Sequence, residues 1–319
     1  MPVNYNKNIQ KKQYKGEKKT YYTHEVNNMI EKYTLRSDFA DEIITLNTKQ
    51  DAYEHVEKQN EHIRSNYIKV LKEDNELHKA IGEYVSIEFH DLDDHIVREN
   101  AIEAIVDNLK IMEQHLKRKP EKILIVGLGN RMITSDALGP MAANEVLVTA
   151  HLYANEKKAY LKGTRNTAIL TPGVMGQTGL ESMQIVKSVA QSYQPDLIIA
   201  IDALATRNIA RINRVVQINN TGIQPGSGVG NHRMALNEAS LHVPVIAIGV
   251  ATVTSVGAIL KEALDEAEID KERVFSYLYD QKRLDLVVTP KSMDDELKQL
   301  VYIVSQSINR FIHPDFMNL

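Results

Sequence analysis

Four short runs in which nearly every position is aliphatic stand out from an otherwise mixed and charged chain: KILIVGL (Lys122–Leu128), DLIIAID (Asp196–Asp202), RVVQI (Arg214–Ile218) and PVIAIG (Pro244–Gly249). Runs this short, rich in Ile and Val and without polar alternation, predict strands covered on both faces. Helical periodicity separates them over Ala137–Tyr153 and Leu180–Ser192 and returns over Asp294–Phe311. The alternation predicts an α/β fold built on a mostly parallel, doubly covered sheet. Upstream, EYVSIEF (Glu83–Phe89) alternates as a strand does, and His95–Leu116 has helical spacing. Residues 39–82 are charged and mixed and predict polar helices or a helical hairpin, so that an α+β region precedes the main sheet. Residues 1 to about 35 are too polar to bury a core of their own. The expected organisation is an arm, 1–38, and a single α/β domain, 39–319.

The uncharged run Val243–Leu260 reaches the length at which a membrane helix has to be considered. Pro244, Gly249, Gly257 and the threonines argue instead for a strand leading through a loop into a helix. The lysine-rich start is followed by no apolar stretch of the signal-peptide kind. A net charge of −4 provides no basic field to draw the chain onto nucleic-acid phosphates, so no direct nucleic-acid partner is expected. The absence of cysteine removes disulfides, thiolate metal sites and a cysteine nucleophile, and fits a reducing cytosol.

Chemistry concentrates after the aliphatic runs. GLGNRMITSDALGP (Gly127–Pro140) begins like a dinucleotide loop, but Met132 stands where the third glycine of that fingerprint belongs. Gly127 and Gly129 instead allow a tight turn off the strand that leaves Asn130 and Asp136 over the carboxyl edge of the sheet, where α/β proteins bind ligands. Asp136 also suits the N-cap of the next helix. Asp202 ends an apolar run, where a charge requires either a turn or a function. Two carboxylates a few ångströms apart cannot both ionise easily, and such a pair supplies a base and an acid for attack by water. TPGVMGQTGLE (Thr171–Glu181) and NNTGIQPGSGVGNHR (Asn219–Arg233) are loops whose Gly173, Gly176, Gly226, Gly228 and Asn231 can present backbone N–H groups to an anion or an extended substrate, or simply turn the chain. His232, with the two aspartates, offers an N/O metal set. There is no Walker lysine, HExxH or GxSxG pattern.

Taken together, GLGN with DALGP, PGVMGQTG, IIAIDALA, TGIQPGSGVGN, PVIAIGVATV and VTPK resemble the spore germination protease family, in that family's order, from about Tyr84 to the C-terminus. The segment Lys261–Leu286 is shorter than is usual there. The resemblance implies an endopeptidase that starts the degradation of small acid-soluble spore proteins during germination, in the cytoplasm of the forespore or spore core. It implies Asp136 and Asp202 as the catalytic pair, no cofactor, and a homotetramer. It also implies a zymogen that removes its own N-terminal segment, and YTLRSDFADE (Tyr33–Glu42) places that cut between Asp38 and Phe39. A removed segment of about 38 residues is longer than the family pattern leads one to expect, and an ordinary helix start at Ser37 or Asp38 is the plain alternative. The implied fold is similar to that of hydrogenase-maturation peptidases, which set carboxylates and a histidine around a metal. A second function class is therefore a metal-dependent maturation peptidase using Asp136, Asp202 and His232.

Overall fold

A computed structural model describes residues 37–44, 51–154, 161–224, 234–267, 274–275, 277–278 and 286–315. Three of the aliphatic runs, with Asn166–Leu170, form a parallel core in the order β5-β4-β6-β8: β4 (Lys122–Gly127), β5 (Asn166–Leu170), β6 (Leu197–Thr206) and β8 (Val245–Ser255). The fourth run is β7 (Val215–Asn219), antiparallel to β8. Beyond it lie β3 (Gly82–Phe89), β2 (Ile63–Val70) and β1 (Tyr53–Gln59), each antiparallel to its neighbour, and β9 (Val287–Val288) pairs with the far end of β8. The α/β class holds, with a parallel core and an antiparallel flank in one mixed sheet. Apolarity reports burial on two faces and leaves strand direction open, which is why RVVQI is a strand yet not a parallel one.

Residues 53–70 are a β-hairpin, not the polar helices expected from their charge. Only Tyr53 of β1 is buried, as suits an edge strand. Asn60 Oδ1 accepts the N–H groups of His62 and Ile63 at the turn, each at 2.8 Å, and Arg64 pairs with Glu57 across the strands. The deciding contacts are tertiary: Ile68 and Val70 pack with Leu77 and Tyr84 against β3.

The helices are α1 (His95–Gln114), α2 (Leu138–Asn144), α3 (Ala150–Ala154), α4 (Met175–Thr178), α5 (Ser182–Tyr193), α6 (Glu238–Leu241), α7 (Val256–Glu266) and α8 (Met293–Ile312). Where one helix was expected over Ala137–Tyr153, α2 and α3 are separate. Asn309 of α8 holds the break, its amide donating to Glu145 O (3.1 Å) and accepting from Leu147 N (2.9 Å). One face of the sheet, including Ile125, Ile199 and Ile248, packs under α1, α2 and α8. On the other face Leu124, Val126, Ile198 and Ala200 pack with Met183, Val186 and Ala190 of α5. The run Val243–Leu260 is β8 passing directly into α7, with Ser255 capping the helix through a bond from Ala258 N at 3.0 Å. Among the described residues no helix is long and apolar enough to cross a membrane.

Candidate active site

The loop after β4 folds back on itself. At Gly129, φ is +115°, and a β-carbon there would lie 2.1 Å from Asp136 O, so only glycine admits the return of the chain. Gly127 meets the start of α2 at Gly139 in the same manner. Asp136 closes a 3-10 turn, Thr134–Asp136, one residue before the N-cap of α2, which is Ala137 without a side-chain bond. Its Oδ2 accepts from Asn130 N at 2.8 Å. Asn130 Oδ1 in turn accepts from Gln177 Nε2 at 2.6 Å, joining this loop to the one carrying Gly173 and Gly176. The turn packs against β6 and β8, and Thr252 of β8 donates to Ser135 O at 2.7 Å.

Asp202 is not at a strand end. β4 stops pairing with β6 at Ile201, while β6 runs on beside β8 to Thr206, so Asp202 occupies the first position past the carboxyl edge of β4. It is buried, and its Oδ1 accepts from Ala203 N at 2.9 Å. Asp202 pairs with Gly249, and Gly249 with Gln217, which makes one row across β6, β8 and β7. Residues in one row share a face, and the outer two Cα atoms stand about 10 Å apart, two strand spacings. Gly249 leaves the middle of the row open for Leu204, whose Cδ1 lies 2.3 Å from where a β-carbon would be.

The segment Ser37–Ile44 docks on this same face. Phe39 is fully buried among Leu204, Val215 and Ala251, with the Arg211 guanidinium 4.9 Å from its ring centre. Asp38 pairs with Ala205 of β6 twice, its N–H donating to Ala205 O (3.1 Å) and its Oδ2 accepting from Ala205 N (2.8 Å). Gln217 spans the next two peptides: its Nε2 donates to Asp38 O and its Oε1 accepts from Ala40 N, both at 2.9 Å. Lys79 Nζ donates to the same Asp38 O at 3.0 Å and to Ser37 O at 3.4 Å. Burial pushes the Lys79 ammonium below the usual lysine range, while the nearby Asp38, Glu42 and Asp41 carboxylates pull it back in part. Arg211 ties the segment down through Asp41 (2.7 Å) and Glu42 (2.9 Å) and reaches Glu88 of β3 at 3.0 Å. Burial opposes its charge, but these carboxylates outweigh the cost and hold the guanidinium above its ordinary value. A polar cavity of about 670 Å³ opens beside the segment, lined by Glu57, Arg64, Arg207 and Arg211 among others; neither Asp136 nor Asp202 lines it.

Of the residues singled out in the sequence, Gly129, Asn130, Asp136 and Gly173 lie in two segments joined by the Asn130–Gln177 bond, Gly127 ends β4, Gly176 lies in α4, and Asp202 follows Ile201, the β6 partner of Gly127. Gly226, Gly228, Asn231 and His232 lie outside the described residues. Among the described residues no group of three or more His, Asp or Glu is placed to hold a metal ion. Sequence reasoning missed Lys79, Gln217, Gln177 and Arg211. Gln217 carried the same signal as Asp202, a polar residue inside an aliphatic run, whereas Lys79 sits in a polar stretch with nothing to mark it.

A family model described as Germination protease matches residues 29–267. The chain belongs to the germination protease family. Curated germination proteases that it is similar to include those of Clostridium perfringens (strain SM101), 36% identical over 284 residues covering 81% of this chain and 86% of the relative, and Clostridium tetani, 37% identical with 79% and 85% covered. The germination protease of Bacillus subtilis is 39% identical over 248 residues, covering 74% of this chain and 67% of that one. Membership makes the chain a peptidase. Among solved structures, the crystal structure of a [NiFe] hydrogenase maturation protease from Thermococcus kodakarensis aligns with a TM-score of 0.34 at 15% identity, over 62% of this chain and 98% of that one.

Proposed function

We propose that this germination protease is an endopeptidase that starts the breakdown of small acid-soluble spore proteins in the forespore or spore core. It is made as a zymogen that cuts itself between Asp38 and Phe39, and Asp136 and Asp202 activate the attacking water. The observation that carries the reading is the docking of the Asp38–Phe39 peptide on the sheet face that Asp202 occupies, anchored from Gln217 in Asp202's own row. In this reading the two carboxylates share one proton, because like charges held together resist ionising together. The ionised member takes a proton from water as its oxygen adds to the Asp38 carbonyl carbon, and the C=O becomes a C–O⁻. That electron pair then re-forms C=O, the C–N bond breaks, and the protonated carboxyl delivers its proton to the Phe39 nitrogen. The products are the Asp38 carboxylate and a new amino terminus at Phe39.

The direct test is N-terminal sequencing after mild acid incubation, together with a peptide carrying Ser-Asp-Phe-Ala. A new terminus at Phe39 and cleavage of the peptide are expected. Asp136→Asn and Asp202→Asn should each lower the rate by about 100- to 10,000-fold, the usual contribution of a general acid or base, with the fold intact. Full activity in either variant removes that residue from the mechanism.

A further inference from the structure

A half-buried lysine and a buried carboxamide converge on one carbonyl oxygen. Lys79 Nζ and Gln217 Nε2 stand 3.0 and 2.9 Å from Asp38 O, the carbonyl of the peptide bond assigned above as the first to be cut. We propose that Lys79 and Gln217 form the oxyanion-binding pair of this peptidase, the donors that hold the negative oxygen produced when water adds to the scissile carbonyl. The proposal rests on the peptidase reading and adds two catalytic residues to it.

Three observations favour this role over simple anchoring. The first is chemical. The nearby Asp38, Glu42 and Asp41 carboxylates offset part of the cost of removing Lys79 from water, its contact with a neutral carbonyl adds little, and the same contact gains far more once that oxygen is charged. The second is orientation. Gln217 is almost wholly buried, and its Oε1 is occupied by Ala40 N–H at 2.9 Å, so its amide cannot flip and its N–H stays aimed at Asp38 O. The third is rigidity. Gln217 sits in an interior strand, and Lys79 is held by the buried Asn75, which donates to Lys79 O (2.9 Å) and accepts from Lys79 N (3.2 Å). Asn75 Nδ2 also donates to Lys72 O and Glu73 O, fixing the turn ahead of Lys79. Donors fixed before the reaction need no reorganisation when charge appears, which is the basis of oxyanion stabilisation. The same row places Asp202 on the other side of Gly249, so acid-base and oxyanion groups flank one position on the sheet.

The test uses the full chain, a ten-residue peptide copying Leu35–Ile44, and that peptide with the Asp-Phe amide replaced by a phosphinate, whose oxygen carries the negative charge. Lys79→Met and Gln217→Met should each lower kcat by about 100-fold or more, as removal of one oxyanion donor does, with KM within about threefold of wild type. Lys79→Arg, which keeps a charged donor, should recover most of the rate. Preference for phosphinate over amide should fall in step with kcat in the Met variants. A rise in KM at constant kcat, or phosphinate binding blind to both substitutions, overturns the proposal and makes the two residues anchors. A chain that cuts the peptide at rates indifferent to Lys79 and Gln217 sinks the proposal alone. One that cuts neither the peptide nor its own bond sinks the peptidase reading and the proposal with it.

Discussion

A carboxylate inside an apolar strand loses several kcal/mol of hydration unless bonds and neighbours offset the loss. Asp202 occupies such a position, with Ala203 N–H on one of its oxygens, and Asp136 accepts the Asn130 N–H of its own loop. Gln217 repeats the pattern as a donor where the aspartates are acceptors, and Lys79 joins it on Asp38 O from a polar loop. His313 shows the structural counterpart, a polar residue buried for stability. Its ring is fully buried, with Nδ1 accepting from Arg165 N (3.2 Å) and Nε2 facing Leu147 O (3.0 Å). Burial lowers its pKa below 6.5, the Leu147 carbonyl raises it in part, and Arg165 lowers it further. The neutral ring is therefore the folded form. As pH falls below the ordinary histidine value, the unfolded chain takes up this proton before the folded chain does, so stability is full above about pH 6.5 and declines beneath it. Urea unfolding at pH 7.5 and 5.5 should show that decline in wild type and a shallower one in His313→Gln. Equal slopes in the two proteins would count against the histidine as its source.

At the scale of elements, β6, β7 and β8 act as one platform, β6 and β8 holding one register from Ile198 to Leu204 before it shifts between Leu204 and Ala205. Gly249 is the point where that register is most sensitive. A methyl group there would press on Leu204 Cδ1 and Cγ, at 2.3 and 2.4 Å, and Leu204 packs against Phe39. Overpacking of this kind costs about 1–3 kcal/mol. Gly249→Ala should lose stability of that order in chemical denaturation, and by displacing Leu204 it should also slow cutting at Asp38–Phe39. A variant normal in both measurements would show that the row has slack. The break between α2 and α3 belongs to this scale too: Asn309 reaches across from α8 to satisfy backbone groups that a continuous helix would have bonded internally.

For the whole molecule, one mixed sheet carries both the aspartates and the segment proposed as their first substrate. The homotetramer implied by the family resemblance is a proposal at this scale: light scattering should give four times the 36.1 kDa chain mass, and the mass of a single chain would dismiss it. Much of the sheet was legible in the aliphatic runs, because residues buried on both faces have no use for polar side chains. The α/β class, the strands β3, β4, β6, β7 and β8, and the long helices α1 and α8 follow from patterns within about twenty residues of chain. Asp202 stood out for the complementary reason, as a charge closing an apolar run, and Asp136 for the glycine turn that carries it past the end of β4. The hairpin Tyr53–Val70 was not, since an edge strand is half exposed, its composition resembles that of a polar helix, and only pairing with β3 decides between them. Direction was equally hidden for β7. Sequence spacing could set the Asp38–Phe39 bond beside no particular residue, because Lys79, Ala205 and Gln217 are 41, 167 and 179 positions away from Asp38. The chain alone determined which residues were too polar or too apolar for their surroundings; the tertiary structure decided which of them meet, because strand order and register bring together groups that local patterns cannot relate.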